Sequence, residues 1–142
     1  MSVLPQVQAC FDAQGLMRTF GAVMTEGEAG RCVIEVPFDD SLSQQGGLFH
    51  GGLQASIADA ACGHAAYTLM PADHDPLSVE FKMNLLAPAK GDLLRATAQV
   101  IKPGRTLSIV TCRVEVLRDG EFHHVAEMLA TMFGLAPRGD KA

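Results

Sequence analysis

The sequence predicts an α+β domain in which one antiparallel β-sheet of about six strands wraps around one long central helix. Three observations carry that expectation. The run from Gly51 to Met70 is small and apolar on almost every face and rich in alanine, as a helix buried on all sides should be. Strand-like runs stand on both sides of it, two before and four after. The separators between the later runs are short and made of turn residues, which sets successive strands antiparallel to one another.

Leu4 to Ala13 reads as a short helix, with Gly15 as its stop. Met17 to Thr25 and Arg31 to Phe38 read as two strands joined by the polar turn Glu26-Gly27-Glu28-Ala29-Gly30. In the second, Cys32, Ile34 and Val36 alternate with Val33 and Glu35. A polar, glycine-rich loop follows from Asp39 to Phe49. The central helix then runs to about Met70, before Pro71, and its roughly 19 residues span about 28 Å. Four strands complete the chain, Leu77 to Leu86, Leu93 to Lys102, Thr106 to Leu117 and Phe122 to Leu135. Ala87-Pro88-Ala89-Lys90-Gly91, Lys102-Pro103-Gly104 and Arg118-Asp119-Gly120 separate them, and the expectation is a meander of neighbours.

With 142 residues and no repeat or low-complexity linker, the expectation is a single domain over residues 1–142. Hydrophobic residues make up 48% and charged residues 19%, too apolar a mixture for a disordered chain. A net charge of −5 argues against nucleic acid, whose phosphates call for clustered Lys and Arg, and against an electrostatic membrane anchor. Gln54, Asp59 and His64 interrupt the most apolar stretch, which excludes an ordinary membrane span. Cys10, Cys32, Cys62 and Cys112 form no C-x-x-C pair. They read as four reduced, buried thiols of a cytoplasmic protein without a zinc site, and no signal peptide is read at the N-terminus.

The chemistry concentrates in Gln44-Gln45-Gly46-Gly47-Leu48-Phe49-His50-Gly51-Gly52 and the helix that follows, as far as Asp59. Asp59 is a carboxylate between Ala58 and Ala60 on an apolar helix. A buried charge is costly unless paired, so Asp59 either faces solvent or a distant Arg, or acts as a catalytic carboxylate. Gly51 and Gly52 open the helix, where unpaired N–H groups and the positive end of the macrodipole suit an anion or a developing oxyanion. They equally permit a tight turn into the helix. A phosphate-binding loop is excluded, since Gly52-Leu53 stands where Lys and a hydroxyl residue are required. Gln44 or Gln45 could hold a water or a carbonyl through its amide, or be solvated. His50 reads as a brace for the loop rather than a general base, since no second acid at triad-like spacing accompanies it. His64, five residues beyond Asp59, reads as a packed histidine on another helix face, and His123 and His124 as strand residues.

The order strand, strand, loop, His50-Gly51-Gly52, helix with Asp59, then four strands resembles the hotdog-fold acyl-CoA thioesterases, the PaaI-like group above all. The resemblance covers Met17 to Leu135 and rests on a carboxylate nine residues after the histidine of the H-G-G motif. It implies that Asp59 is the essential carboxylate, nucleophile or general base for water, and that the Gly51 N–H polarises the thioester carbonyl. Gln44, fifteen residues before Asp59, matches an amide position where many members have Asn. Ser78 matches a hydroxyl position that orients water near the carboxylate. Lys102-Pro103-Gly104-Arg105-Thr106 resembles a segment that contacts coenzyme A phosphates, and Lys102, Gly104, Arg105 and Thr106, with Gly52, become the candidate coenzyme A contacts. The resemblance further implies an acyl-CoA substrate, no cofactor or metal, and a homodimer or homotetramer with active sites shared between subunits. The competing expectations are a hotdog hydratase or dehydratase, which would need an H-F-P-type or H-x-D-type loop, and a non-catalytic acyl-CoA-binding protein.

Overall fold

The computed structural model describes residues 2–138. Helices α1 (Pro5–Asp12) and α2 (Gly15–Phe20) precede strands β1 (Val23–Glu28) and β2 (Arg31–Pro37). The loop holds the two-residue strands β3 (Ser43–Gln44) and β4 (Leu48–Phe49), and the long helix α3 (Gly51–Tyr67) follows. Strands β5 (Asp75–Leu85), β6 (Leu93–Lys102), β7 (Leu107–Arg118) and β8 (Glu121–Leu135) close the chain. Six strands form one antiparallel sheet in the order β1-β2-β6-β7-β8-β5. As expected, α3 lies in its concavity.

Small side chains are what let the helix sit there. Ala58, Ala61, Cys62 and Ala65 are fully buried along α3, with Ile57 and Leu53 filling between them. From the sheet, Ile34, Leu94, Val110, Val114, Ala130 and Met132 meet that surface. Such alternation of small and large residues brings the backbones close without voids. The helix ends at Tyr67, three residues before the expected Met70. Thr68 terminates it, its hydroxyl donating to the Ala65 carbonyl at 2.7 Å and accepting the Gly30 N–H at 2.8 Å.

Three expectations need correction. The segment Met17 to Thr25 is not one strand. It forms α2, which Gly21 ends in the left-handed conformation (φ 67°), and only then β1. Met17 is buried and Phe20, one turn on, packs on the core, a helical spacing that two apolar residues are too few to announce. The hairpin turn is also tighter than expected. Glu26, Gly27 and Glu28 pair with Val33, Cys32 and Arg31, leaving Ala29 and Gly30 as the turn, both at positive φ. Gly27 belongs in the strand because Val3 crosses it closely: a β-carbon there would lie 3.0 Å from a Val3 methyl.

The third correction is topological. Strands β6, β7 and β8 form the expected meander, but β5 pairs with β8 at the far edge and not with β6. Its connection runs across the sheet end: the Leu86 N–H reaches the Val125 carbonyl, the Phe49 N–H reaches the Ala89 carbonyl, and the Asp92 N–H reaches the Leu117 carbonyl. Ala89 is buried beneath this crossing. As an edge strand, β5 leaves Leu77, Val79, Phe81 and Leu85 exposed. Cys32, Cys62 and Cys112 are buried and Cys10 half-buried, all as free thiols, and burial pushes the Cys32 thiol far above its ordinary value. No helix among the described residues is long and apolar enough to cross a membrane.

The fit of α3 yields a direct prediction. Ala61→Leu should destabilise the fold by about 1–3 kcal/mol through overpacking, seen as a lower urea midpoint at unchanged slope. An unchanged midpoint would contradict the close approach of helix and sheet.

Candidate active site

The chain enters α3 through a braced corner. β3 pairs with β4, Gln44 opposite Leu48, and this ladder turns the Gln44 side chain back toward the helix. Its Oε1 accepts the Gly51 N–H at 3.4 Å. The His50 Nδ1 accepts the Gly52 N–H at 2.7 Å and caps the helix. That supports the bracing reading of His50, and it makes Gly52 part of the cap. Gln45 is exposed in the turn, so Gln44 is the amide that faces the helix start. A β-carbon on Gly51 would come within 3.0 Å of a Leu85 methyl. Gln44, Gly51, Gln54 and Leu85 to Ala89 line a groove of 340 Å³ here.

Gln54, to which the sequence assigns no site role, lines the same groove. It is buried one turn beyond Gly51, its Nε2 donates to the Phe49 carbonyl at 3.5 Å, and its Oε1 has no partner among the described residues. The signal was the one that picked out Asp59: a polar residue in an otherwise apolar helix.

A second cluster lies further along α3. Asp59 is half-buried, and the Ser78 hydroxyl donates to its Oδ1 at 2.5 Å. Ser78 sits opposite Met132 at an irregularity between Ser78 and Glu80 in the β5–β8 pairing, and its Oγ lies 3.5 Å from the Met132 sulfur. Asp59 and Ser78 line a cleft of 330 Å³ whose other walls are Gln14 to Met17, Gly63, His64 and Pro76. His64 is packed, as expected, with its ring edge-on to Phe11 at 5.7 Å and Nδ1 2.6 Å from the Ala60 carbonyl. It also borders the cleft that Asp59 lines. Burial pushes the His64 pKa down, against smaller upward pulls from the Ala60 carbonyl and Asp59.

The turn Lys102 to Thr106 is exposed. Gly104 donates its N–H to the Ser108 hydroxyl at 3.3 Å, and a β-carbon there would lie 1.9 Å from the Leu107 carbonyl oxygen, so only glycine fits. Leu107 pairs with Phe133, which pairs in turn with Leu77. This sets the turn at the sheet end that holds Ser78. Lys102 and Arg105 form no ion pair among the described residues. A further depression, of 640 Å³, lies on the outer face of the sheet. Its charges are largely matched, Arg95 with Glu115 at 3.0 Å and Arg31 with Glu26 at 2.7 Å, and it shares no residue with either cluster on α3.

Within one chain, therefore, Gln44 and Gly51 form one cluster and Asp59 and Ser78 another. Eight helical residues separate Gly51 from Asp59, about 12 Å along the axis. The family model of the thioesterase superfamily matches residues 46–122, from the loop before α3 to the start of β8. The chain belongs to the thioesterase superfamily. A thioesterase family protein from Silicibacter pomeroyi is 40% identical and superposes with a TM-score of 0.91 over 93% of this chain and 97% of that one. A Staphylococcus aureus thioesterase, 25% identical, superposes at 0.78 over 86% and 99% of the two chains. The PaaI protein of the Escherichia coli phenylacetic acid degradation operon, at 17% identity and a TM-score of 0.81 over 95% and 97%, shares the hotdog fold. A 1,4-dihydroxy-2-naphthoyl-CoA hydrolase of Listeria monocytogenes is 27% identical over 67% of this chain and 77% of its own. Membership of this superfamily indicates thioester hydrolysis as the class of chemistry.

The buried His64 has a consequence for stability. Above about pH 6.5 the imidazole is neutral in folded and unfolded chains alike. Below that value the unfolded chain takes up a proton that the folded chain resists, so stability falls as pH falls. Thermal unfolding between about pH 7 and 5 should show a loss of up to about 1.4 kcal/mol per pH unit from this group, and His64→Gln should flatten the profile. Parallel profiles for the two proteins would contradict a neutral, buried His64.

Proposed function

We propose that this thioesterase hydrolyses acyl-CoA thioesters to free acid and coenzyme A, with Asp59 as its catalytic carboxylate. The observation that carries the reading is the Ser78 hydroxyl bonded to Asp59 at 2.5 Å in an open cleft. A hydroxyl donating to one carboxylate oxygen fixes the group and leaves the other oxygen for chemistry. In this mechanism that oxygen attacks the thioester carbonyl or takes a proton from attacking water. The Gly51 N–H, at the positive end of α3, stabilises the oxyanion. Among the described residues this N–H meets only the Gln44 Oε1, at 3.4 Å, a bond long enough to yield to a substrate carbonyl. Gln44 orients the carbonyl or the water, and His50 holds the corner through Gly52. The S. aureus thioesterase has been solved as variants with a glutamine and a glutamate, fifteen positions apart, each changed to alanine. Gln44 and Asp59 are separated by the same fifteen positions.

Since the oxyanion donor and the carboxylate are about 12 Å apart along one helix, the reading requires a second copy. The exposed row Leu77, Val79, Phe81 and Leu85 on edge strand β5 supports a two-fold partner that joins edge to edge. An antiparallel partner helix then brings its Asp59 to the first chain's Gly51, in a homodimer or in a homotetramer built from such dimers. Lys102 and Arg105, beside the Gly104 turn and without an ion-pair partner among the described residues, serve the coenzyme A phosphates. The free thiols suit a reducing cytoplasm.

Release of coenzyme A from a panel of acyl-CoAs tests the proposal. The wild type should turn over at least one class of thioester. Asp59→Asn, which keeps the shape but removes the basic oxygen, should lose at least about a hundredfold in kcat while remaining folded. Acyl-CoA binding without release by the wild type, or turnover by Asp59→Asn within a few-fold of wild type, would overturn it.

A further inference from the structure

Edge strand β5 alternates between its two faces once past the irregularity between Ser78 and Glu80. Phe81, Met83 and Leu85 pair with Ala130, Met128 and Ala126 of β8, which are core residues, so the three share the inner face. Glu80, Lys82 and Asn84 pair with Thr131, Leu129 and Glu127. Glu127 lines the depression on the outer face, so these three share that side. Glu80 and Lys82 are both exposed, and neither forms an ion pair among the described residues. The Thr131 hydroxyl donates to the Glu80 Oε1 at 2.6 Å, which steadies the carboxylate and occupies one of its two oxygens. Two unmatched opposite charges therefore stand on one face of an unpaired strand, with Phe81 between them in sequence.

A second copy joined along this edge must set outer residues opposite outer ones, since paired residues of an antiparallel ladder point to the same face. The symmetric registers near mid-strand place the two-fold axis at residue 80, 81, 82 or 83. At Glu80 or at Lys82 that residue meets its own copy, and like charges directly opposite are destabilising. At Met83, Lys82 meets the partner's Asn84 and Glu80 goes unmatched. At Phe81, Glu80 meets the partner's Lys82 and Lys82 meets the partner's Glu80. We infer that Phe81 lies on the two-fold axis, and that Glu80 and Lys82 form reciprocal ion pairs that fix how a second copy of this chain docks. The inference rests on the edge-to-edge pairing proposed above and adds the residues that set its register. Phe81, exposed on the inner face, then packs on its own copy. The site is consistent with the same register. Leu85, which lies against Gly51, falls within two residues of the partner's Ser78, and Ser78 is the residue bonded to Asp59. Charges on the outer face thus align the oxyanion donor of one chain with the carboxylate of the other on the inner face.

Cysteine placement reads the axis. Directly opposite residues lie about 5 Å apart, within reach of a disulfide, whereas a residue one place off the axis lies about 7–8 Å from its own copy, beyond that reach. Phe81→Cys should therefore cross-link to its own copy on mild oxidation. Glu80→Cys and Lys82→Cys should not do so alone, but co-expressed they should cross-link to each other. Peptide mapping separates these links from the native thiols. Charge reversal reads the ion pairs. At low salt Lys82→Glu should raise the dimer Kd about tenfold in sedimentation, less so at high salt, and adding Glu80→Lys to it should restore the wild-type value. Glu80→Cys or Lys82→Cys linked to its own copy, with no link for Phe81→Cys, would overturn the register and leave the edge pairing standing. A link at Phe81→Cys with a dimer Kd that Lys82→Glu does not move would overturn the ion pairs. A wild type that sediments as a monomer, or a dimer in which none of these cysteines cross-links, would overturn the edge pairing together with its register. Coenzyme A release by the wild type is measured separately and bears on hydrolysis alone.

Discussion

The close seating of α3 against a single curved sheet is the contact on which the remainder of the molecule depends. Ala58, Ala61 and Ala65 are fully buried, and their small side chains let the sheet wrap around the helix instead of standing off it. Much of the core lies at that interface, where Ile34, Leu94, Val110, Val114 and Met132 come from the sheet, and Val7, Phe11 and Met17 join it from α1 and α2. The cost is that the helix has little surface left for polar groups. Gln54, near its capped start, and Asp59, further along, face the two clefts into which the wrapping opens.

That spacing shapes the chemistry. A straight helix holds Gly51 and Asp59 about 12 Å apart, whereas groups acting on one carbonyl carbon must each come to about 3 Å of their targets. The topology supplies a remedy in the same stroke. Because the β5–β6 connection crosses the sheet end, β5 becomes an outer edge with apolar residues on show. An edge of that kind invites a copy of itself, and under the proposed two-fold pairing the two half-sites complete each other. Ser78 belongs to this edge strand, so the strand proposed to join the subunits also orients the carboxylate.

Much of this was legible in the residues themselves. The alanine-rich run announced α3, and Asp59 stood out as a charge in an apolar helix; the glycines after His50 marked the helix start. Other features lay beyond local pattern. Met17 and Phe20 are too few to distinguish a helical turn from a strand, and α2 emerges only because Phe20 finds the core and Gly21 can adopt a positive φ. The place of β5 depends on which carbonyls the Leu86 to Asp92 segment meets, a tertiary matter that turn residues do not encode. Choosing Gln44 over Gln45 required the β3–β4 ladder. Gln54 and the free nitrogen of His64 were visible as residue types, but their unpaired atoms become evident only once the neighbours are known.

The division of the site between two copies is the central claim, and complementation measures it most directly. Proline is tolerated at the first position of a helix and carries no N–H, so Gly51→Pro removes the proposed oxyanion donor and keeps α3, provided that the Leu85 methyl 3.0 Å from the new β-carbon turns aside. Gly51→Pro and Asp59→Asn chains, each folded and nearly inactive alone, are co-expressed and their mixed dimers isolated. In such a dimer one site carries both lesions and the other none. The account predicts activity per mixed dimer of about half that of wild type, or about a quarter in an unseparated random mixture where half the dimers are mixed. Verified mixed dimers as inactive as the two parents would contradict a site built from two chains.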